Sequence, residues 1–310
     1  MSEKRERFLA AARREAVDRP PVGAWIHYGS SWLPPEQTAA AHLAFLREFD
    51  WDYLKVMHDY RLPTGRLDQI SDPAQFDALA LPDGDYPNYA AQRRVIEILR
   101  AEAPDVPLVE TVFAPLQSLV RALGAAVVPL FQADPDLAHR TLDRVAARLE
   151  TYVGGLAEQG VDGLFCAVTG LGTDWTGLGV TREQFVDWVA PYDRRVFAAG
   201  AGLVRIVHPH GENLDVGLID DYEAEVMSWS DRVSLPTIEQ VAASARVPML
   251  GLDELTSAYW TPDQVTADVL RARRAAGDRL IVAPNCTVHS DMNPAALHAL
   301  RRAVELPLSG

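Results

Sequence analysis

Two rhythms of hydrophobic and polar positions alternate along the chain. Short β-rich apolar runs are followed by longer stretches in which apolar residues recur every three or four positions. The short runs predict strands at Pro21–Tyr28, Asp52–Met57, Val106–Phe113, Asp162–Ala167, Leu203–His208, Val247–Leu252 and Arg279–Ala283, with a weaker one at Glu225–Trp229. The longer ones predict helices at Pro35–Phe49, Asn88–Ala101, Leu116–Leu123, Asp134–Gln159, Arg182–Gly200, Ile238–Ala245, Pro262–Ala276 and Pro294–Val304. The clearest is Asp134–Gln159. Asp134 suits an N-cap and Pro135 the first helical position. Leu137, Leu142, Val145, Leu149, Tyr152 and Leu156 form its stripe, and Gly160 suits its stop. Arg61–Tyr86, rich in Pro, Asp and Gly, reads as a long loop with a short helix.

About eight strands, each followed by a helix, is the pattern of an α/β chain folded as one (β/α)8 TIM barrel. The reading is a single domain over residues 1–310, with a short N-terminal helical extension in MSEKRERFLAAARREAVDRPP. An open doubly wound sheet is the other architecture with this alternation. It is disfavoured because no G-x-G-x-x-G turn follows the first strand. The formal net charge of −14 argues against nucleic acid or an anionic membrane as partner. That leaves a small-molecule substrate or another protein. Two cysteines, Cys166 and Cys286, imply no disulfide framework and fit a reducing cytosol. The charged N-terminus lacks the apolar core of a signal peptide, and no apolar run approaches the ~18–20 residues of a membrane span. The chain therefore reads as cytoplasmic.

Barrel active sites form where strands end. Val207–Asn213 (VHPHGEN) leaves the fifth predicted strand, and Cys286 ends the eighth within APNC. Gly211 allows a sharp turn that lets His208 and His210 point the same way. Two imidazoles and a thiolate make a three-ligand zinc site with an open fourth position. The competing reading is a polar pocket for an anionic substrate, with Cys286 merely packed. His58-Asp59-Tyr60 follows the second strand, where Asp59 is either a proton-transfer group or a turn residue. Glu110 is either a partner orienting a ligand histidine or a charge satisfied within the barrel. Tyr28 and Trp229 suit substrate packing or core equally. Cys166 reads as a small buried hydrophobe.

The segments FDWDYLKVMHDYRLP, ADPDLAHRTLDRVAARLETYVGGLAEQGVDGLFCA, FVDWVAPYDRRVF, VHPHGEN and LIVAPNCTV together resemble the uroporphyrinogen decarboxylase superfamily, which includes cobalamin-linked and thiol-directed methyltransferases. The resemblance covers nearly the whole chain. True decarboxylases open with R-x-P-x-W-x-M-R-Q-A-G, whose arginines bind substrate carboxylates. In Arg19–Gly29, His27 and Tyr28 replace the second arginine and the glutamine, which argues against a porphyrinogen substrate. The methyltransferase branch binds zinc through H-x-C after the fifth strand and a cysteine after the eighth. The matching positions are His208, His210 and Cys286, with His210 in place of a cysteine. The resemblance implies transfer of a methyl group to a thiol from a small molecule or a corrinoid, with a corrinoid protein among the partners it allows. Asp59, His58, Tyr28 and Glu110 would then position the donor. One fewer thiolate makes the zinc more electrophilic, so activation of water or another nucleophile becomes conceivable. The alternatives are a metal-independent decarboxylase working through Asp59 and a non-catalytic binding barrel. The family suggests a monomer or homodimer.

Overall fold

The structure, a computed structural model, describes residues 3–62, 64, 69–77, 79, 87–173 and 177–308. Seven parallel strands form one curled sheet in chain order. They are β1 (Leu54–Val56), β2 (Leu108–Phe113), β3 (Gly163–Val168), β4 (Val204–Pro209), β5 (Val226–Met227), β6 (Val247–Leu252) and β7 (Ile281–Pro284). Helices lie between successive strands and cover the outside, as in a TIM barrel.

Eight strands were expected, and the first of them is not formed as a strand. Of Pro21–Tyr28, a single bridge joins Val22 to Val282 of β7. One part of the reason is local and the other is a long-range contact. Pro20 and Pro21 have no N–H to give, and the Val22 N–H is taken by the Asp52 carboxylate at 2.9 Å. The segment still lies across the seam. Val282 N donates to Pro21 O, Gly23 N to Val282 O, and Asp52 N to Val22 O.

Strand parity sorts the side chains into two layers. Tyr53, Met57, Val109, Phe165, Val204, Ile206, Val247, Met249 and Ile281 pack inside the barrel. Leu54, Val56, Leu108, Val112, Leu164, Cys166, Val168, Val207 and Val282 pack outward under the helices. Phe8 of the helix Glu3–Ala12 packs with its ring centre 5.3 Å from that of Tyr53, tilted by 40°, and joins the inner layer, so the N-terminal extension closes the end where strands begin.

Most expected helices form within a residue or two of their anticipated ends, including Pro35–Phe49 and Pro262–Ala276. Asp134 caps Pro135–Gly154 through Leu137 N, as its sequence suggested, but the helix stops at Gly154 and reaches Gly160 only as turns. The stretch expected as one helix at 182–200 carries a π-turn over Phe185–Val189, just before Pro191, which has no N–H to donate back. Val127–Ala133 is a helix with no counterpart in the sequence reading. Of the loop expected over Arg61–Tyr86, residues 63, 65–68, 78 and 80–86 lie outside the described residues; the short helix is Ala74–Asp77. No helix among the described residues is long and apolar enough to cross a membrane.

Candidate metal centre and its cavity

His208 shares the inward face of β4 with Val204 and Ile206, and Ile206 is fully buried. Its Nδ1 lies 3.0 Å from the carbonyl oxygen of Ser228. A carbonyl only accepts, so Nδ1 carries the proton and Nε2 is left with its lone pair, the state a metal requires. Past Pro209 the chain turns at Gly211, whose φ of 133° favours glycine. The His210 N–H is tied to Val168 O at 2.9 Å, which holds His210 beside β3.

Cys286 arrives from β7 through a clamped turn. Asn285 is fully buried: its side chain donates to Asp231 Oδ1 at 2.8 Å and accepts from Gly251 N at 3.2 Å. The backbone N–H of Asn285 reaches Leu252 O at 2.9 Å. These bonds hold the position from which Cys286 faces the two histidines. One ligand atom from each of His208, His210 and Cys286 lies within 4.8 Å of the others. Among the described residues this is the group of His, Cys, Asp or Glu that could hold a metal ion. Burial pushes the Cys286 thiol up, but His208 and the Thr287 backbone together outweigh it and bring the thiol below its ordinary value. Burial lowers His210, against a smaller opposing pull from Glu254, so it too favours the neutral ligand form. The donor set, two imidazole nitrogens and a sulfur with room beside them, fits zinc.

Two cavities flank the triad. One, of about 210 Å³, is walled by Trp25, Met57, Phe113 and Phe165, with Lys55, Arg121, Thr111, Gln117 and His27 among its polar groups. The other, of about 160 Å³, has Glu212, Glu254, Ser230 and Asn285 around it. Lys55 was not anticipated. It is 3% exposed, donates to Thr111 Oγ1 at 2.9 Å, and sits 4.7 Å and 4.2 Å from the ring centres of Trp25 and Phe165. Burial pushes its ammonium down to about 7, against the pull of Cys286, Glu110 and Asp59. A lysine flanked by apolar strand residues, in register with inward Tyr53 and Met57, was the available signal. Burial likewise lowers Arg121 to about 10, and its guanidinium lies 3.5 Å from the Phe113 ring centre.

The four other expected site residues fall in three places. Glu110 lies on the outward face of β2 and is fully buried under the helices. It accepts from Tyr152 Oη at 2.8 Å and Gln92 Nε2 at 3.0 Å, and pairs with His58 Nδ1 at 3.1 Å. His58, also outward, meets Tyr60, Tyr89 and Tyr152 edge-on. Neither residue lines the triad's cavity, and Glu110 orients His58 rather than a ligand histidine. Tyr28 packs 4.2 Å from the ring of His42; burial, then Asp59, hold its phenol above the usual range. Asp59 reaches the cavity only through His27. Its Oδ1 lies 2.6 Å from His27 Nδ1, while Oδ2 accepts from Ser30 N at 3.2 Å and Ser30 Oγ at 2.8 Å. Burial pushes the Asp59 carboxyl up, but His27 and Ser30 outweigh it and hold it well below the usual range. Cys166 is fully buried in the outer layer, and burial raises its thiol. Trp229 is buried in the same layer and donates to Pro236 O at 3.0 Å.

Residues 56–306 match the family model for uroporphyrinogen decarboxylase (URO-D). The chain belongs to this family. Among solved structures, this family member is similar to a methyltransferase from Methanosarcina mazei, with a TM-score of 0.81 at 17% identity over 98% of this chain and 99% of that one. It is also similar to a putative vitamin-B12 independent methionine synthase from Listeria monocytogenes, with a TM-score of 0.57 at 11% identity over 87% and 85% of the two chains. At these identities the likeness is one of fold. No curated protein sequence matches.

Proposed function

We propose that this chain is a zinc-dependent methyltransferase that passes a methyl group from a methylated small molecule or a corrinoid to a thiol. One observation carries the reading: the donor atoms of His208, His210 and Cys286 lie within 4.8 Å of one another. The fold shared with a methyltransferase from Methanosarcina mazei supports the reaction class. Zinc held there would act as a Lewis acid that keeps a bound thiol as thiolate near neutral pH. The protein's own part is to place and shelter it. Ser228 fixes the tautomer of His208, Asn285 fixes the turn carrying Cys286, and Trp25, Phe113 and Phe165 limit water around the reacting sulfur. Arg121 and Lys55, across the cavity, suit a donor or acceptor carrying negative charge. Decarboxylation through Asp59 has less support, because that carboxylate stands behind His27 rather than in the cavity.

Metal analysis of the untreated protein should return about one zinc per chain. Cys286→Ser should lower zinc content and abolish methylation of a small thiol by methylcobalamin. Substoichiometric zinc in the wild type, together with full activity in the serine variant, would sink the proposal.

A further inference from the structure

A thiol that enters this cavity as R–SH must lose its proton there, and the walls offer few acceptors. His208, His210 and Cys286 are committed to the metal on the reading above, on which this inference rests. Thr111 and Gln117 are not basic, and Arg121 is a cation. Lys55, its ammonium brought down to about 7 by burial, is the other candidate, but its Nζ is spent on Thr111 and Met57 between two aromatic rings. His27 remains. Its side chain is 54% exposed and lines the same cavity as Cys286. Nδ1 faces the Asp59 carboxylate at 2.6 Å and therefore carries the proton, so Nε2 presents a lone pair beside Thr287, whose hydroxyl lies 3.4 Å away. The carboxylate itself is locked by two bonds from Ser30. A histidine aligned in this way is a proton acceptor with its counter-charge already in place.

We propose that His27, aligned by Asp59, takes the proton from the incoming thiol. The S–H bond breaks and its electron pair stays on sulfur, which would then be free to ligate a metal held by His208, His210 and Cys286. The proton forms an N–H bond at Nε2, while the Nδ1 proton stays between His27 and Asp59. The ring, paired with Asp59, keeps that proton while the thiolate stays in the cavity. His27 is the catalytic residue of this step and Asp59 its positioning residue. The charged and titratable groups around His27 are Asp59 on its own side and, across the cavity, Lys55, Arg121, His208, His210 and Cys286.

The test is a proton count on thiol binding. Zinc-loaded full-length protein is titrated calorimetrically with 2-mercaptoethanol in buffers of different ionisation enthalpy, at about pH 8, where a free thiol is still mostly protonated. Wild type should release close to no protons to buffer. His27→Gln should release about one per thiol bound, at unchanged zinc content. Asp59→Asn should move the count the same way with His27 in place, and Lys55→Met should leave it unchanged. Equal counts in wild type and His27→Gln, or a shift produced by Lys55→Met instead, would overturn the assignment to His27 alone. Failure of zinc-loaded wild type to bind the thiol would overturn the zinc–thiol reading and this inference with it.

Discussion

Glu110 and Thr111 are neighbours in the chain and face opposite sides of β2. Thr111 reaches the cavity and the Lys55 ammonium, while Glu110 is sealed among Tyr152, Gln92 and His58. A buried carboxylate with that many donors is a structural group, because removing any one of them strands a polar atom away from water. Glu110→Gln should therefore cost about 1–3 kcal/mol in a denaturant titration and leave zinc content at the wild-type level. Loss of zinc at unchanged stability would show that Glu110 supports the metal centre after all. His208 gives the converse case. Its inward parity and the Ser228 carbonyl behind it leave Nε2 facing the other two donors.

At the scale of elements, the seam between β7 and β1 rests on Asp52. This fully buried carboxylate accepts from Val22 N at 2.9 Å and from Arg7 and Arg19, so it ties the N-terminal helix, the Pro21–Gly23 segment and the entrance to β1 together. Those bonds substitute for the ladder that Pro20 and Pro21 cannot make. Asp52→Ala leaves the Val22 N–H and the Arg19 guanidinium without their carboxylate and Arg7 with Asp18 alone, and should cost about 3–5 kcal/mol. Chemical denaturation measures this, and a cost below that of an ordinary surface substitution would refute the anchoring role.

For the whole molecule, stability against pH depends on a buried acid remote from the metal centre. Asp193 is fully buried, and burial pushes its carboxyl up to about 8 against smaller pulls from Tyr222 and Arg194. The native state therefore keeps a proton that the unfolded chain, with an ordinary value of 3.8, has given up. Between these two values the native state binds more protons, so raising the pH lowers stability, and the loss levels off above about 8. Asp193→Asn, neutral at every pH, should gain over wild type as pH rises from about 4 to about 8 and hold that gain above. A thermal-shift series across this range checks it; a difference that does not vary with pH would refute the buried-acid account.

The alternation of apolar runs and amphipathic stretches was enough to place seven of the eight expected strands and to put His208, His210 and Cys286 at one end of the sheet, because both signals are local. Parity along each strand carried the separation of Lys55 and Thr111 from His58 and Glu110, but reading only the strand ends grouped His58 and Glu110 with the site. Other features required the folded chain. The loss of the first strand depends on the Asp52 carboxylate reaching Val22 across 30 positions. The alignment of His27 depends on Asp59 across 32. The tautomer of His208 depends on a carbonyl 20 residues away. The sequence alone thus set the order of the elements and which residues stand at the strand ends. Tertiary structure decided which of those residues meet and which proton each one holds, because contacts between distant residues leave no periodic trace in the chain.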